Sequence, residues 1–391
     1  MMKSGQPLAT ISARGESRVR AGHLWVYRAD VVDVQAAPGD VVRVVGAHGR
    51  TIGHALYSDR SQISLRFFSF GEAVADLSLW RQRMEAALAF RDALAIEATA
   101  YRLIHAEADL LPSLIVDRYG DYLVVQALSQ AVDRLLPQLA GLLVELTQAS
   151  GVLARNDPRV RLLEGLEQRV ELLHGAVPDK VVVREGAIEY EADLWHGQKT
   201  GLFLDQRENR AAASLYAHGH ALDCFSYTGG FALQIARKCA DVTAIDVSEL
   251  AVARTQVNAT RNGLTQVHAL TANVFDELRR RDLAGERFDT IVLDPPAFAK
   301  NKAAVPKALS GYREINLRAL KLLKPGGHLV TCSCSYNVDE ALFGQLLHEA
   351  ALDAHARVTV VEKRMQSRDH PVLLGMPETY YLKCFILRRI A

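Results

Sequence analysis

From residue 220 onward the chain alternates short apolar runs with helical stretches, and this alternation does most to limit its fold. Residues 220–224, 242–246, 267–271, 288–293 and 328–331 each read as a buried parallel strand. Helices are predicted over 231–239, 249–262 and 312–323, and strands over 358–363 and 380–388 finish the chain. Strand–helix repeats of this length make a doubly wound α/β sheet, here of about seven strands. Ligands in such a sheet sit at the carboxyl ends of its strands. The residues that end each run are therefore the candidates for chemistry.

The chain ahead of this sheet reads differently. Short β-rich runs over 25–34, 41–45, 52–57 and 63–68 are broken by the turns Pro38-Gly39-Asp40 and Gly46-Ala47-His48-Gly49, which predicts a small β-barrel. A helical pattern over 76–98 follows, then strands at 113–118 and 122–127 around Tyr119-Gly120-Asp121. A helix over 131–148, a strand over 151–156 and a polar tail over 159–169 complete an α+β middle unit. Strands over 180–185 and 187–194 lead into the sheet. The expected division is a barrel over 1–73, the middle unit over 74–186 and the α/β domain over 187–391. A chain of 391 residues can bury two or three such cores.

Apolar stretches are strand-sized or interrupted by charge, so no membrane helix is expected. Met1-Met2-Lys3-Ser4-Gly5 opens no signal-peptide core. The five cysteines are an odd number and all lie in the C-terminal half. They suggest no disulfide framework and fit a cytoplasmic location. Cys332 and Cys334 have neither a second pair nor a nearby histidine, so no metal site is expected. Net charge is +1, yet residues 1–70 hold nine Lys/Arg against five acids. That asymmetry hints at a module facing nucleic acid, although a solvated face would look alike.

The strand ends suggest a cofactor. Asp223-Cys224-Phe225-Ser226-Tyr227-Thr228-Gly229-Gly230-Phe231 is a glycine-containing turn before a helix, but it is not the G-x-G-x-x-G of a pyrophosphate cradle. Asp246 ends the next strand, where an acid can accept from two ribose hydroxyls. Together they fit S-adenosylmethionine better than a nicotinamide dinucleotide. Asn273 and the Val274 N–H follow the third strand, where an adenine edge would lie; Asn273 reads equally as a helix cap.

These motifs resemble the class I S-adenosylmethionine-dependent 23S ribosomal RNA 5-methylcytosine methyltransferases of the RlmI type. The resemblance spans essentially the whole chain. Its most specific stretches are Gly22-His23-Leu24-Trp25-Val26-Tyr27, residues 197–207, residues 223–231, Asp294-Pro295-Pro296-Ala297-Phe298, Thr331-Cys332-Ser333-Cys334-Ser335, Asp369-His370-Pro371 and Tyr381-Leu382-Lys383. It implies a PUA domain, a middle domain and a Rossmann-like methyltransferase domain, with 23S ribosomal RNA as substrate and a homodimer as the assembly. It also implies that Lys199, Gln206 and Arg207 border the cofactor. Asp223, Phe225, Tyr227, Thr228 and Gly229 would hold its methionine part and Asp246 its ribose. Asn273 departs from the family's frequent Asp.

Carbon 5 of cytosine is not nucleophilic until a thiolate adds at carbon 6. The resemblance aligns Cys334 with the nucleophile of RNA cytosine methyltransferases, with Cys332 as the second candidate. Asp294 would meet the base edge, and Pro295, Pro296 and Phe298 would shape the loop that receives a flipped base. Cytosine enzymes with Pro-Cys after this Asp carry a second cysteine; Pro296 stands there instead, so no releasing base is identified. His370 reads either as a neighbour of the site or as a turn residue. Two other readings stay open: a base-nitrogen methyltransferase that needs no cysteine, and an RNA-binding assembly factor without turnover.

Overall fold

The computed structural model describes residues 7–72, 75–299 and 301–391. The opening Met1–Gly5 and the expected 73/74 boundary lie outside the described residues. The chain forms two compact units. The first takes in the chain up to residue 184 together with 192–204 and 368–379, and the second holds 185–191, 205–367 and 380–391.

In the first unit, β1 (Leu8–Ile11), β2 (Trp25–Tyr27), β3 (Val31–Gln35), β4 (Val41–Val45), β5 (Thr51–Tyr57) and β6 (Ile63–Phe70) form a sheet in the order β2-β6-β5-β4-β1-β3. Helix α1 (Ala13–Arg20) follows β1, with Ser12 accepting from the Gly15 N–H as its cap. Gly53 of β5 permits a close crossing, since a Cβ there would lie 2.1 Å from the Ser69 carbonyl oxygen. The basic excess is partly internal. Arg14 and Arg18 converge on buried Asp30 at 2.5 and 2.8 Å, and Arg66 meets buried Glu164 at 2.7 Å. A charge count cannot distinguish such pairs from an open basic face.

A second sheet, in the order β11-β10-β9-β8-β7, contains β7 (Ala100–His105), β8 (Leu114–Tyr119), β9 (Tyr122–Ala127), β10 (Gly151–Asn156) and β11 (Arg169–Gly175). Helices α2 (Leu77–Ala93) and α3 (Gln130–Thr147) bury Trp80, Met84, Leu136 and Leu139 with this sheet, and a single turn, α4 (Val160–Leu163), precedes β11. Phe68 of β6 stacks on Trp80 at 4.4 Å and joins this core, whereas most of the first sheet buries a separate cluster around Val26, Val44 and Phe67. The polar tail of the sequence reading ends in β11, an edge strand. Its alternation of charged and apolar residues suits a ribbon paired on one side only.

Asp369 and His370 belong to this unit. Asp369 accepts from the Arg102 N–H at 2.8 Å, and its carbonyl accepts from Arg91 at 2.7 Å. The His370 ring lies 5.1 Å from that of His105. Both histidines are thus part of a packed polar core.

The hairpin of β12 (Val181–Glu185) and β13 (Ile188–Ala192) leads into the second unit, which opens with α5 (Arg207–Tyr216). There β14 (Gly219–Cys224), β15 (Cys239–Asp246), β16 (Val267–Thr271), β17 (Phe288–Leu293), β18 (Leu323–Ser333), β19 (Val358–Arg364) and β20 (Lys383–Arg389) make one sheet, ordered β16-β15-β14-β17-β18-β20-β19. The first five strands run parallel, and β20 joins β18 antiparallel. Helices α6 (Gly230–Ala236), α7 (Glu249–Arg261), α8 (Val274–Leu283), α9 (Val305–Leu322) and α10 (Glu340–Asp353) follow the parallel strands. Strand order reverses between β14 and β17, and in a doubly wound sheet that reversal opens the ligand crevice. No helix among the described residues is long and apolar enough to cross a membrane, and none of them form a cluster able to hold a metal ion.

The buried polar core of the first unit makes its stability sensitive to acid. Burial, then the Arg102 guanidinium 2.9 Å from Nδ1, hold His105 well below the ordinary imidazole value. Below about pH 6.5 the unfolded chain gains a proton that the folded one refuses. Unfolding free energy should therefore fall as pH drops below that value, by up to about 1.4 kcal/mol per pH unit from this group. His105→Gln keeps an acceptor for Arg102 and should remove that share of the slope in urea titrations compared between pH 5 and 7.

Candidate active site

The register of the second unit brings four strand ends into one line. Cys224 pairs with Ile245 on one side and Leu293 on the other, and Leu293 pairs with Thr331. The next residues are Phe225, Asp246, Asp294 and Cys332. Across the reversal, the Asp294 N–H donates to the Cys224 carbonyl at 3.4 Å.

The turn after β14 is wound tightly. Phe225, Tyr227 and Gly229 have φ of 65°, 51° and 87°, so two side-chain-bearing residues sit in the left-handed region. Each costs about 1–3 kcal/mol, a strain met mainly at functional sites. Helix α7 holds the turn: Thr255 Oγ1 donates to the Tyr227 carbonyl at 3.0 Å and Asn258 Nδ2 to the Thr228 carbonyl at 3.1 Å. At Gly229 a Cβ would lie 2.9 Å from Thr255 Cγ2. The Tyr227 and Ser248 N–H groups each donate to one oxygen of Asp246 at 2.9 Å. A carboxylate oxygen accepts more than one bond, so capacity remains for two vicinal hydroxyls.

Asp223 carries the strongest electrostatic signal. Its Oδ2 accepts from the Ala232 N–H at 2.9 Å, whereas Oδ1, like Ser226 Oγ, is buried without a hydrogen-bond partner. Burial raises this carboxyl well above the carboxylate range against the pull of the Ala232 N–H, and the charges of Asp294 and Asp246 push further the same way. Three acids at neighbouring strand ends thus favour a cationic ligand. S-Adenosylmethionine carries an ammonium and a sulfonium, and these residues fit it: Asp223 would hold the ammonium and Asp246 the ribose.

Asp294 is fixed from below. Gln206 Nε2 donates to its Oδ1 at 2.7 Å, Asn209 Nδ2 donates to Gln206 Oε1 at 2.7 Å, and Arg364 Nε donates to Asn209 Oδ1 at 3.1 Å. This buried relay uses both ends of each amide. Arg207, beside Gln206, is buried at the start of α5. Lys199 belongs to the first unit, where its ammonium lies 4.4 Å from the Phe203 ring centre.

The two loops that follow β17 and β18 are clamped together. Cys334, partly exposed, directs its thiol to the Pro295 carbonyl at 3.9 Å. Ser335 Oγ accepts from the Ala299 N–H at 3.1 Å and lies 3.0 Å from the Tyr312 hydroxyl. Lys383 Nζ donates to the Ser335 carbonyl at 2.8 Å and to that of Tyr381 at 3.0 Å. Cys332 differs from Cys334: it is fully buried opposite Cys384, and burial pushes its thiol well above the ordinary value.

Pro295 is buried and Pro296 exposed. The Phe298 ring lies 4.7 Å from Tyr312 and 6.0 Å from Phe275, so much of its face packs on the core. Asn273 caps α8 by accepting from the Phe275 N–H at 2.9 Å, and Val274 is buried as its first residue. Ser335, Tyr312, Asn209 and Lys383 were not singled out as site residues from sequence. Ser335 and Lys383 lay within quoted motifs, whereas Asn209 in α5 left no signal.

Fold and crevice together define an S-adenosylmethionine-dependent methyltransferase. Residues 109–377 match the model of the S-adenosylmethionine-dependent methyltransferase family, and residues 9–70 match that of a PUA-like domain. The ribosomal RNA large subunit methyltransferase I of Tolumonas auensis is 40% identical, covering 94% of this chain and 96% of its own. A methyltransferase-fold protein of Streptococcus mutans superposes with a TM-score of 0.83 at 19% identity, covering 97% of this chain and 99% of its own. A further structure of this fold, complexed with SAH, gives 0.84 at 20% identity over the same shares. The chain belongs to the ribosomal RNA large subunit methyltransferase I family, and its cofactor is S-adenosylmethionine.

Asp223→Asn should separate stability from binding. Folding must either bury the Asp223 charge or take up a proton there, a cost that Asn lacks, so the melting midpoint of the cofactor-free protein should rise by about 2–4 °C, the equivalent of roughly 1 kcal/mol. The same change should weaken S-adenosylmethionine about 10- to 100-fold in calorimetry, as expected for loss of a charge-assisted bond. Wild-type affinity should fall as pH drops through the raised Asp223 value, and the variant should lack that limb. Asn209→Ala strands Gln206 Oε1 and should cost about 1–3 kcal/mol in denaturant unfolding.

Proposed function

We propose that this chain methylates carbon 5 of a cytosine in 23S ribosomal RNA through a covalent bond between Cys334 and carbon 6. One observation carries the reading: a partly exposed thiol stands 3.9 Å from the backbone of the Asp-Pro-Pro loop, at the strand ends beside the cofactor crevice. A nitrogen target has its own lone pair and would need no such thiol.

The cofactor, when bound, supplies an electrophilic methyl group on a sulfonium. Cys334 as thiolate adds to carbon 6, and carbon 5 becomes enamine-like and takes the methyl. Loss of the carbon-5 proton then lets the carbon 5–carbon 6 double bond reform and the Cys334 sulfur leave. Asp294, oriented by Gln206 at Oδ1, would meet the base edge and steady the charge that develops during addition. Pro295 fixes the loop backbone, and the clamp at Ser335 keeps thiol and loop in register. The PUA-like domain supports RNA as the substrate, as does the name of the Tolumonas relative.

Cys334→Ala should lower methyl transfer to ribosomal RNA from a strain lacking the protein by about 10³-fold or more, while Cys332→Ala leaves most of it. RNA carrying 5-fluorocytosine at the target should trap a protein–RNA adduct with the wild type only, because fluorine cannot leave as a proton does. Full activity in Cys334→Ala would instead identify a base-nitrogen methyltransferase. Absence of S-adenosylmethionine binding by calorimetry would leave only an assembly role.

A further inference from the structure

Lysine is seldom fully buried unless paired, yet Lys383 is 2% exposed. No carboxylate lies within 4.0 Å of its Nζ among the described residues. Its two backbone acceptors, the carbonyls of Ser335 and Tyr381, fix the ammonium immediately after Cys334. The register of β18 and β20 places it opposite Ser333, the residue immediately before Cys334. Lys383 therefore engages the backbone on both sides of the proposed nucleophile.

The charged and titratable groups around it are few. Cys334 acts on it most strongly, and Asp339, which caps α10, acts in the same direction. Tyr312 reaches Cys334 from the other side, through Ser335. Cys384 beside it on β20 and Cys332 across the sheet are buried thiols. On β19, Lys363 and Arg364 are engaged by Glu340 and Glu362 at 3.0 and 2.8 Å, and Tyr380 also donates to Glu340. Among these groups Cys334 is the proton donor that the reaction requires to ionise.

We propose that Lys383 is a positioning residue acting through Cys334, as the proton partner and counter-ion of its thiol. It rests on the reading of Cys334 as nucleophile. The neutral amine takes the thiol proton: the S–H bond breaks, an N–H bond forms, and sulfur keeps the electron pair. A thiolate then stands beside an ammonium already oriented by two carbonyls. When the bond to carbon 6 later breaks, sulfur recovers its pair opposite the same ammonium, so the site resets without a second cysteine. The carbon-5 proton takes no part in this exchange. Burial holds Lys383 down at about 8, near an ordinary thiol, so transfer between the two is close to balanced.

The test reads the thiol, not methylation. Iodoacetamide alkylation of Cys334 in the full chain, followed peptide by peptide in mass spectrometry between pH 5 and 10, should titrate in the wild type below the free-cysteine value of about 8.5. Lys383→Met should raise that midpoint by a unit or more and slow alkylation at pH 7 about tenfold, with circular dichroism reporting the fold. A wild-type midpoint at or above the free value overturns the proposal, even if the variant fails to fold. An unchanged midpoint in a folded Lys383→Met also overturns it. Activity retained by Cys334→Ala would sink the adduct mechanism instead, and it is read in a separate assay.

Discussion

The pairing of β17 with β18 is the constraint on which the site depends. Leu293 faces Thr331, so the Asp-Pro-Pro loop and the Cys-Ser-Cys-Ser segment leave the sheet side by side. A slip of one residue would turn every side chain of β18 to the opposite face. Cys332 is committed to the core opposite Cys384, so the strand must end at Ser333 before Cys334 can leave the alternation. The clamp from Ser335 to Ala299 and Tyr312 fixes where the freed segment goes. The end of the strand thus separates two cysteines two residues apart, leaving Cys332 in the core and Cys334 partly exposed beside the Pro295 carbonyl.

Around this register the protein carries features that work against its own stability. Phe225 and Tyr227 adopt left-handed backbone, Asp223 is buried beside two other acids, and Lys383 is buried without a carboxylate. Local rules of propensity and polar satisfaction are broken together, at the ends of strands that are otherwise regular. A cationic cofactor explains the acids, a close-fitting ligand explains the turn, and an ionising thiol explains the lysine. Such a concentration of local violations is what a binding and catalytic site should leave in a fold.

The sheet of the second unit was legible because its central strands are buried and its helices are amphipathic, so alternation alone set the order of elements. The helix read over 312–323 begins earlier, at Val305, because Pro306 suits a first helical turn that the apolar pattern does not mark. Edge strands were harder. The charged, half-exposed residues of β11 look like a loop, and the interior strand β1 was missed for a different reason, being only four residues long. Site chemistry followed the same division. Asp246 ends a strand, and Asp294 and Cys334 directly follow one, so position alone proposes them as site candidates, whereas Asn209 supports Asp294 through Gln206 from within a helix. That contact is set by tertiary packing, and no spacing in the sequence encodes it.

Asp294 and Lys383 reach one loop pair from opposite sides, and their surroundings separate their tasks. Gln206 donates to Asp294 while accepting from Asn209, so the amide cannot turn round without losing both bonds. It therefore favours Asp294 as an acceptor at Oδ1. Lys383 meets two carbonyl acceptors, an environment that wants a donor. An acid oriented by an amide and a lysine held by carbonyls are what the proposed one-cysteine mechanism requires. With Pro296 standing where a second thiol would be, the proposed mechanism assigns the resetting of the nucleophile to the backbone-held lysine.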